Sequence, residues 1–295
     1  MNNMEQKEIN IVGIITKRHC EPYKDVILKL EKYLKRKEKE ILYDSNCSKF
    51  FKGAKGLSKS ELLPKADLVI VLGGDGTLLK TARRTCRQKT LVLGVNMGTL
   101  GFLTECTPDK LFECLGKIFE GNYYIDKRSL LRVTIYRKKK KLDTFLALND
   151  AVINQGSFAR LIQMNIEINN RKVVNFLADG VIIATPTGST AHSLSAGGAI
   201  VHPMVEGFIV TPICARSLSI RPIVLPNSRQ LTITIPAQSR EASEVIGLTL
   251  DGQDTLTLKY GDQIKCRKSK RPLYLVRTKH SYYKMLRTKL NWGER

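Results

Sequence analysis

The chain has 295 residues, of which 49 are lysine or arginine and 27 are aspartate or glutamate, so its formal net charge is +22. A hydrophobic content of 42% excludes global disorder, and this length suits about two domains that bury roughly three quarters of the unfolded surface. No apolar run approaches the ~20 residues that cross a bilayer, and the polar start of the chain is unlike a secretory leader. We therefore expect a cytoplasmic protein, and its charge predicts a polyanionic partner, either nucleic acid or a phosphorylated small molecule.

The cysteines and histidines follow no metal-binding or disulfide pattern. The seven cysteines are odd in number and none has C-x-x-C spacing, which favours reduced thiols in a cytoplasm. The four histidines lie far apart in the sequence, so we expect no metal site built by the protein.

The first part of the chain alternates strand-like and helix-like segments. Buried parallel strands are predicted at Ile9–Thr16, Ala66–Leu72 and Leu91–Val95. Helices are predicted at Lys24–Glu40, Leu78–Arg87 and Pro108–Phe119. The first helix has a lysine-rich face that we interpret as solvated. This alternation predicts a Rossmann-like α/β domain over residues 1–128.

From Ser129 onward, short β-rich runs follow one another between polar turns. The runs are Leu131–Tyr136, Phe145–Asn149, Met164–Ile168, Val181–Thr185, Leu231–Ile235, Val245–Leu250, Thr255–Leu258 and Pro272–Val276. Such spacing predicts a β-sandwich domain over residues 129–280, with Arg137–Lys141 at a solvated hairpin tip. The segment Ser281–Leu290 is predicted to be helical, and we expect residues 281–295 to pack back on the first domain.

The segment Gly73-Gly74-Asp75-Gly76-Thr77 joins the strongest buried-strand signal to a predicted helix. A strand, a glycine-rich turn and a helix N-terminus together present backbone N–H groups to an anion. The segment matches neither the Walker A motif nor the dinucleotide pattern G-x-G-x-x-G. A carboxylate beside phosphates is unfavourable unless it functions, so Asp75 is a candidate for holding Mg²⁺ or for accepting a proton. The structural alternative is that Asp75 caps the helix.

Two later segments also carry polar groups suited to a ligand. Asn149-Asp150 lies at the end of an apolar strand, where it can bond a sugar diol or a base edge, although such a pair is also typical of a turn. Thr185–Gly198, which follows Asp179-Gly180, is rich in glycine, serine and threonine, and this favours a polar ligand lining over a surface loop. His192 is equally compatible with ligand binding and with a structural role.

Together these segments resemble the NAD kinase family, which phosphorylates the 2′-hydroxyl of the adenosine ribose of NAD to give NADP. The resemblance covers almost the whole chain. Its motifs are Gly73–Thr77, Asn96–Leu103, Asn149-Asp150, Thr185–Gly198, Thr211–Cys214, Ser217–Ser219, Arg221–Val224 and Asp251–Gln253. The first motif alone is shared with lipid kinases and phosphofructokinases, whereas its combination with Thr185–Gly198 is highly specific.

The resemblance implies an α/β domain, a β-sandwich domain and assembly as a homodimer or homotetramer. It makes Asp75 the catalytic aspartate that deprotonates the 2′-hydroxyl. The residues implied to face the ATP phosphates are Gly73, Gly74, Gly76 and Thr77, with Mg²⁺ arriving on ATP. The residues implied to contact NAD are Asp75, Gly76, Phe102, Asn149, Asp150, Asp179, Thr187, Thr190, Ala191, His192, Ser195, Cys214 and Gln253. The chain departs from the family at His192, where many members have tyrosine, and at Ala215-Arg216, where Pro-His is usual.

Other functions stay open at the level of sequence. A lipid kinase acting on diacylglycerol or a sphingoid base would share the glycine–aspartate loop, but it needs an apolar entrance. A nucleic-acid-binding protein would use the basic surface, although aromatic residues make up only 7% of the chain. The third alternative is a non-catalytic NAD-binding protein. We expect NAD with ATP or polyphosphate as partners, and neither nucleic acid nor a membrane.

Overall fold

The computed structural model describes residues 8–85, 89–98, 101–155, 161–237, 246–279, 282–291 and 293. These residues form two compact units. The first unit consists of the described residues up to Lys127 together with those from Leu273 onward, and the second is Arg128–Pro272.

A seven-stranded sheet forms the centre of the first unit. Its strands, numbered in chain order, are β1 (Ile11–Thr16), β2 (Glu40–Asp44), β3 (Gly56–Leu57), β4 (Leu68–Gly73), β5 (Leu91–Asn96), β6 (Tyr124–Arg128) and β19 (Leu273–Arg277). Their spatial order is β3-β2-β1-β4-β5-β19-β6. The pairs from β3 to β19 are parallel, and β4 and β5 are buried along their whole length, as covered parallel strands are.

Helices pack on this sheet through apolar faces. The helices of the first unit are α1 (Lys24–Arg36), α2 (Lys59–Leu62), α3 (Asp75–Ala82), α4 (Leu111–Phe119) and α6 (Tyr282–Leu290). Helix α1 buries Ile27, Leu30 and Leu34 and leaves most of its lysines exposed. It is shorter than the predicted Lys24–Glu40, because Glu38 has a φ of 55° and Glu40 already belongs to β2. None of the helices in the described ranges is long and apolar enough to cross a bilayer.

The second unit is a sandwich of two six-stranded antiparallel sheets. One sheet has the order β11-β10-β15-β18-β7-β8 and the other β14-β13-β12-β9-β16-β17. The strands are β7 (Leu131–Arg137), β8 (Lys140–Ala147), β9 (Asp150–Gln155), β10 (Ile162–Ile168), β11 (Arg171–Ala178), β12 (Gly180–Ala184), β13 (Gly207–Ile213), β14 (Ile223–Pro226), β15 (Leu231–Thr234), β16 (Ile246–Leu250), β17 (Asp254–Leu258) and β18 (Gln263–Lys268). Alternate residues of both sheets, among them Ile135, Ile153, Val181, Phe208 and Ile264, share one core. The sequence therefore predicted the two fold types correctly.

One strand that the sequence predicts in the second domain lies in the first unit. The run Pro272–Val276 was assigned to the β-rich domain, but β19 pairs in parallel with β5, Tyr274 lying opposite Leu91. The second unit thus ends at Pro272 rather than at residue 280. A short apolar run buried on both faces suits a parallel sheet as well as a sandwich, so its composition could not decide between them. Strands β2 and β6 of this sheet were also not predicted.

A buried arginine fixes the end of β19. Arg277, whose side chain is 8% exposed, donates from Nε to Asp126 at 3.1 Å and from Nη1 to the Thr104 carbonyl at 3.0 Å. Its Nη1 also lies 3.4 Å from Glu105, whose side chain is 3% exposed. Glu105 in turn accepts the backbone N–H of Thr278.

We expect Arg277→Gln to lower the free energy of unfolding by about 3 kcal/mol, because it leaves the buried carboxylate of Glu105 without its cation. The matched control is Lys117→Gln, which breaks the exposed pair with Glu113 and should leave the free energy of unfolding close to that of the wild type. Urea unfolding followed by circular dichroism measures both. Equal losses in the two variants would contradict a structural role for the buried pair.

Candidate functional site

The phosphate-binding motif lies where β4 ends and α3 begins. Gly73 is the last residue of β4, Gly74 is the N-cap of α3, and Asp75, Gly76 and Thr77 form its first turn. A Cβ at Gly73 would come within 2.4 Å of the Thr77 hydroxyl, so glycine is required there. The N-terminal end of α3 carries a partial positive charge, which favours anions at this point.

Asp75 does not cap the helix, which excludes the structural alternative raised by the sequence. Its Oδ2 accepts the N–H of Phe102 at 2.8 Å and its Oδ1 accepts the N–H of Leu103 at 3.1 Å. A Cβ at Gly101 would lie 2.0 Å from Asp75 Oδ1, so the loop approaches the carboxylate closely. A carboxylate offers about four lone-pair positions, so these bonds leave acceptor capacity for a ligand.

A cavity of about 340 Å³ opens in front of this carboxylate. Its lining consists of Lys17, Gly73, Gly74, Asp75, Asn96, Met97, Gly98, Gly101 and Lys289. The Asn96 side chain holds the loop by donating to the Gly98 carbonyl at 3.0 Å and accepting the Gly98 N–H at 3.2 Å. The glycine backbone, a helix N-terminus and two ammonium groups together suit a phosphorylated ligand.

Sequence reasoning missed both lysines of this cavity. Lys17 directly follows β1, at the carboxyl end of a parallel strand, which is where open α/β sheets bind ligands. Its Nζ donates to the Tyr23 hydroxyl at 3.0 Å, and that hydroxyl donates to the Met97 carbonyl at 2.8 Å. Because Lys17 directly follows a predicted strand, the sequence could have indicated it as a ligand-binding residue. The predicted residues Gly76 and Thr77 are in α3 but do not line the cavity.

A second group of predicted residues meets in the second unit, around Asp150 at the start of β9. The Asp150 side chain is completely buried, and His192 Nδ1 lies 3.2 Å from its Oδ1 and 3.1 Å from its Oδ2. The hydrogen bond to Asp150 raises the pKa of the His192 imidazole, while partial burial opposes the shift. When the ring is protonated, the exposed His192 and the buried Asp150 thus form an ion pair.

Asp251 anchors this region, although only its motif and not its role was apparent from the sequence. Its carboxylate accepts the backbone N–H groups of Leu148, Asn149 and Asp150, at 3.0, 2.7 and 3.2 Å. Asp251 and Gly252 both have positive φ values, 52° and 64°, in the turn between β16 and β17. An Asp-Gly pair that follows a strand was the available signal.

The segment Thr185–Gly198 is more ordered than the predicted lining. It contains a 3₁₀ turn at Thr187–Thr190 and helix α5 (His192–Ser195). The hydroxyls of Thr185, Ser189 and Ser193 are buried and bond within the unit, Ser193 to Thr211 at 2.9 Å. Most of the hydroxyl groups in this segment therefore bond within the protein. Gly188 lets the turn pack against the residue before β9, because a Cβ there would lie 2.1 Å from the Asn149 carbonyl oxygen.

A cavity of about 590 Å³ lies beside α5 in the second unit. Its lining consists of Val152, Asn154, Ile182, His192, Ser195, Ala196, Pro212, Ile213, Cys214 and Thr249. Three of the predicted residues, His192, Ser195 and Cys214, are thereby brought together. Asn154 and Thr249 were not predicted, because their side chains reach the cavity only through strand pairing.

The other predicted NAD-binding residues do not line this cavity. Asn149 is half-buried next to Asp150, and Thr187 Oγ1 accepts from Arg128 Nη1 at 3.2 Å. Asp179 precedes β12, and its N–H donates to the Ile213 carbonyl at 3.0 Å. Thr190 and Ala191 lie where the 3₁₀ turn meets α5, and Gln253 closes the turn that contains Asp251. In the first unit, Phe102 contributes its N–H to Asp75.

Comparison with known protein families decides the identity of this fold. Residues 12–123 match the model of the ATP-NAD kinase N-terminal domain, and residues 148–278 match that of the ATP-NAD kinase C-terminal domain. The chain belongs to the ATP-NAD kinase family. The resemblance noted in the sequence is confirmed, and the lipid-kinase and nucleic-acid alternatives are not favoured.

Individual relatives agree over nearly the full chain. NAD kinases from Geotalea daltonii and Geobacter sulfurreducens are 38% and 39% identical over 285 residues, which are 96% of this chain and 99% of each relative. The crystal structure of a yeast NADH kinase complexed with NADH is 26% identical, with a TM-score of 0.89 over 98% of this chain and 89% of that one. An Archaeoglobus fulgidus NAD kinase in complex with ATP shares the fold at 24% identity and a TM-score of 0.73, over 95% of this chain and 98% of that one.

The buried carboxyl of Asp251 makes the free energy of unfolding depend on pH. Burial raises the pKa of its carboxyl to about 6, against about 3.9 in an unfolded chain. The folded state therefore binds more protons between these values, and stability falls as the pH rises through this window. Relative to Asp251→Asn, the wild type should lose about 2 kcal/mol of unfolding free energy between pH 4 and pH 6.5.

Urea unfolding at a series of pH values measures this difference. The matched control is Asp254→Asn, at an exposed position in the same hairpin; this variant keeps Asp251 and should show the same pH-dependent loss as the wild type. A wild type that parallels Asp251→Asn across the whole interval would show that the Asp251 carboxyl does not titrate in this window.

Proposed function

We propose that this chain transfers the γ-phosphoryl group of ATP to the 2′-hydroxyl of the adenosine ribose of NAD, giving NADP and ADP. The observation that carries the proposal is the Asp75 carboxylate, held at the N-terminal end of α3 in a glycine-lined cavity with Lys17 and Lys289. The family of the chain supports the same reaction.

The first-unit cavity supplies the groups that phosphoryl transfer needs. The reaction depends on positioning and charge neutralisation more than on covalent chemistry with the protein. Backbone groups at Gly73 and Gly74 and the positive end of α3 bind phosphate oxygens, and Lys17 and Lys289 neutralise charge. Gly76 and Thr77 support this turn from within α3. Mg²⁺ enters as part of the Mg-ATP substrate, bound to its β- and γ-phosphates.

Asp75 acts as the general base. The 2′-hydroxyl proton moves to its carboxylate as the new O–P bond forms, while the bond from the γ-phosphorus to its bridging oxygen breaks and ADP leaves. General-base catalysis of this kind contributes about 10²- to 10⁴-fold in rate. The bonds from the N–H groups of Phe102 and Leu103 fix the carboxylate before substrate binds, so no reorganisation is needed during the reaction.

The dinucleotide-binding role belongs to the residues that the resemblance implied. They are Phe102, Asn149, Asp150, Asp179, Thr187, Thr190, Ala191, His192, Ser195, Cys214 and Gln253, together with Asp75 and Gly76. Their support is the convergence of His192, Ser195 and Cys214 on one cavity and the ion pair of His192 with Asp150. A homodimer or homotetramer in a cytoplasm completes the proposal.

Replacement of the proposed base should separate catalysis from binding. We expect Asp75→Asn to lower kcat for NADP formation by about 10²- to 10⁴-fold, because an amide cannot accept the hydroxyl proton. The dissociation constant for NAD, measured by calorimetry, should change less than about threefold. A near-wild-type rate would make the base assignment wrong, and a parallel loss of NAD binding would make Asp75 a binding residue.

The position of the loop can be tested without changing the carboxylate. A Cβ at Gly101 would meet Asp75 Oδ1, so Gly101→Ala should displace the side chain and lower kcat by about 10- to 100-fold. The matched control is Gly116→Ala in α4, where an added Cβ meets nothing within 4 Å. The same NADP assay measures both. Equal activity of the two variants would contradict a positioning role for the loop.

A further inference from the structure

The His192 ring lies with one edge against the buried carboxylate of Asp150 and with the other close to Gly252. Its Nδ1 edge lies against both carboxylate oxygens of Asp150, at 3.2 and 3.1 Å. On the other edge, a Cβ at Gly252 would come within 3.2 Å of Cε1 and 3.7 Å of Nε2. The side chain is still 53% exposed, and it borders the second-unit cavity. The ring therefore links a buried charge to the space where a ligand binds.

The charge around this ring changes with protonation. Asp150 and Asp251 face it, and both act on its pKa in the upward direction. Of the elements that pack against α5, the 3₁₀ turn and β12 contain no titratable side chains. Cys214 is a further titratable group on the cavity lining. With His192 protonated, the two carboxylates are partly neutralised, and with His192 neutral the group is more negative by one charge.

We propose that the proton on His192 sets the affinity of the second-unit cavity for the dinucleotide. The imidazolium offsets the charge of Asp150, whereas the neutral ring leaves a more negative cavity that repels an anionic ligand. NAD is such a ligand, because its pyrophosphate carries two negative charges and its nicotinamide ring one positive charge. His192 is thus a specificity-determining residue, and this role rests on the proposed function of the chain.

The sign of the pH dependence follows from this charge balance. A ligand that prefers the protonated ring raises the pKa of that ring when it binds, so binding takes up protons. NAD affinity is then greatest at low pH and falls as the pH rises through the pKa of His192, which lies above its ordinary value. Asp251, with a pKa of about 6, is already ionised above pH 7, so a change in affinity above that pH does not come from its carboxyl.

Calorimetry with NAD between pH 7 and pH 8.5 tests the proposal, in buffers of different ionisation enthalpy that report proton uptake. The wild-type dissociation constant should rise about three- to tenfold over this range. In His192→Asn, where the amide keeps a donor for Asp150 without a charge, the rise should be less than about twofold and the uptake should be lost. The control His202→Asn, at a histidine outside this cavity lining, should behave as the wild type.

A measurement on the unmodified protein covers the case in which His192→Asn fails to fold. The ring resonance of His192, titrated by NMR, should move to a higher pKa when NAD saturates the protein. An unchanged or lower pKa, or equal proton uptake in wild type and His192→Asn, would overturn the proposal. NADP formation by the wild type is followed in the same samples. NADP formation without the His192 effect rejects this inference alone, and the His192 effect without NADP formation rejects only the proposed reaction.

Discussion

The bonds between the Asp75 carboxylate and the N–H groups of Phe102 and Leu103 determine the form of the first-unit cavity. They bring the loop after β5 against the first turn of α3, and the cavity exists because Gly101 permits that approach. Only an ionised carboxylate accepts on both oxygens without presenting a donor to these N–H groups. The charge state that the fold requires at this position is therefore the charge state that a general base requires, so stability and reactivity favour the same residue type.

Asp251 has the same structural role in the second unit, in a less favourable environment. It accepts three consecutive N–H groups and so fixes Asn149 and Asp150 at the start of β9. Three hydrogen bonds favour its ionised form, yet burial has the larger effect, and its pKa is raised. Asp75, in contrast, is partly exposed and accepts two backbone N–H groups rather than three.

The local features of this fold could be predicted from the sequence, and the long-range ones could not. A buried apolar run predicted β4, and the glycines after it predicted the turn, because both depend on neighbouring residues. The placement of β19 depends on pairing with β5, far away in the chain, and a run that suits both units does not reveal its partner. The contact of His192 with Asp150 required the same non-local information, since the two residues are 42 positions apart.

The net charge of +22 and the charge of the second-unit cavity have opposite consequences for ligands. Exposed lysines, such as those of α1, attract anionic nucleotides over about one Debye length and so act on association rates. Behind His192, the buried carboxylates of Asp150 and Asp251 would oppose the final approach of the same anions, because buried charges are screened less than a surface lysine is. Because a distant surplus cannot offset a nearby buried carboxylate, the compensating cation has to be local. His192 occupies that position, and histidine is the residue type whose unperturbed side chain changes charge near neutral pH.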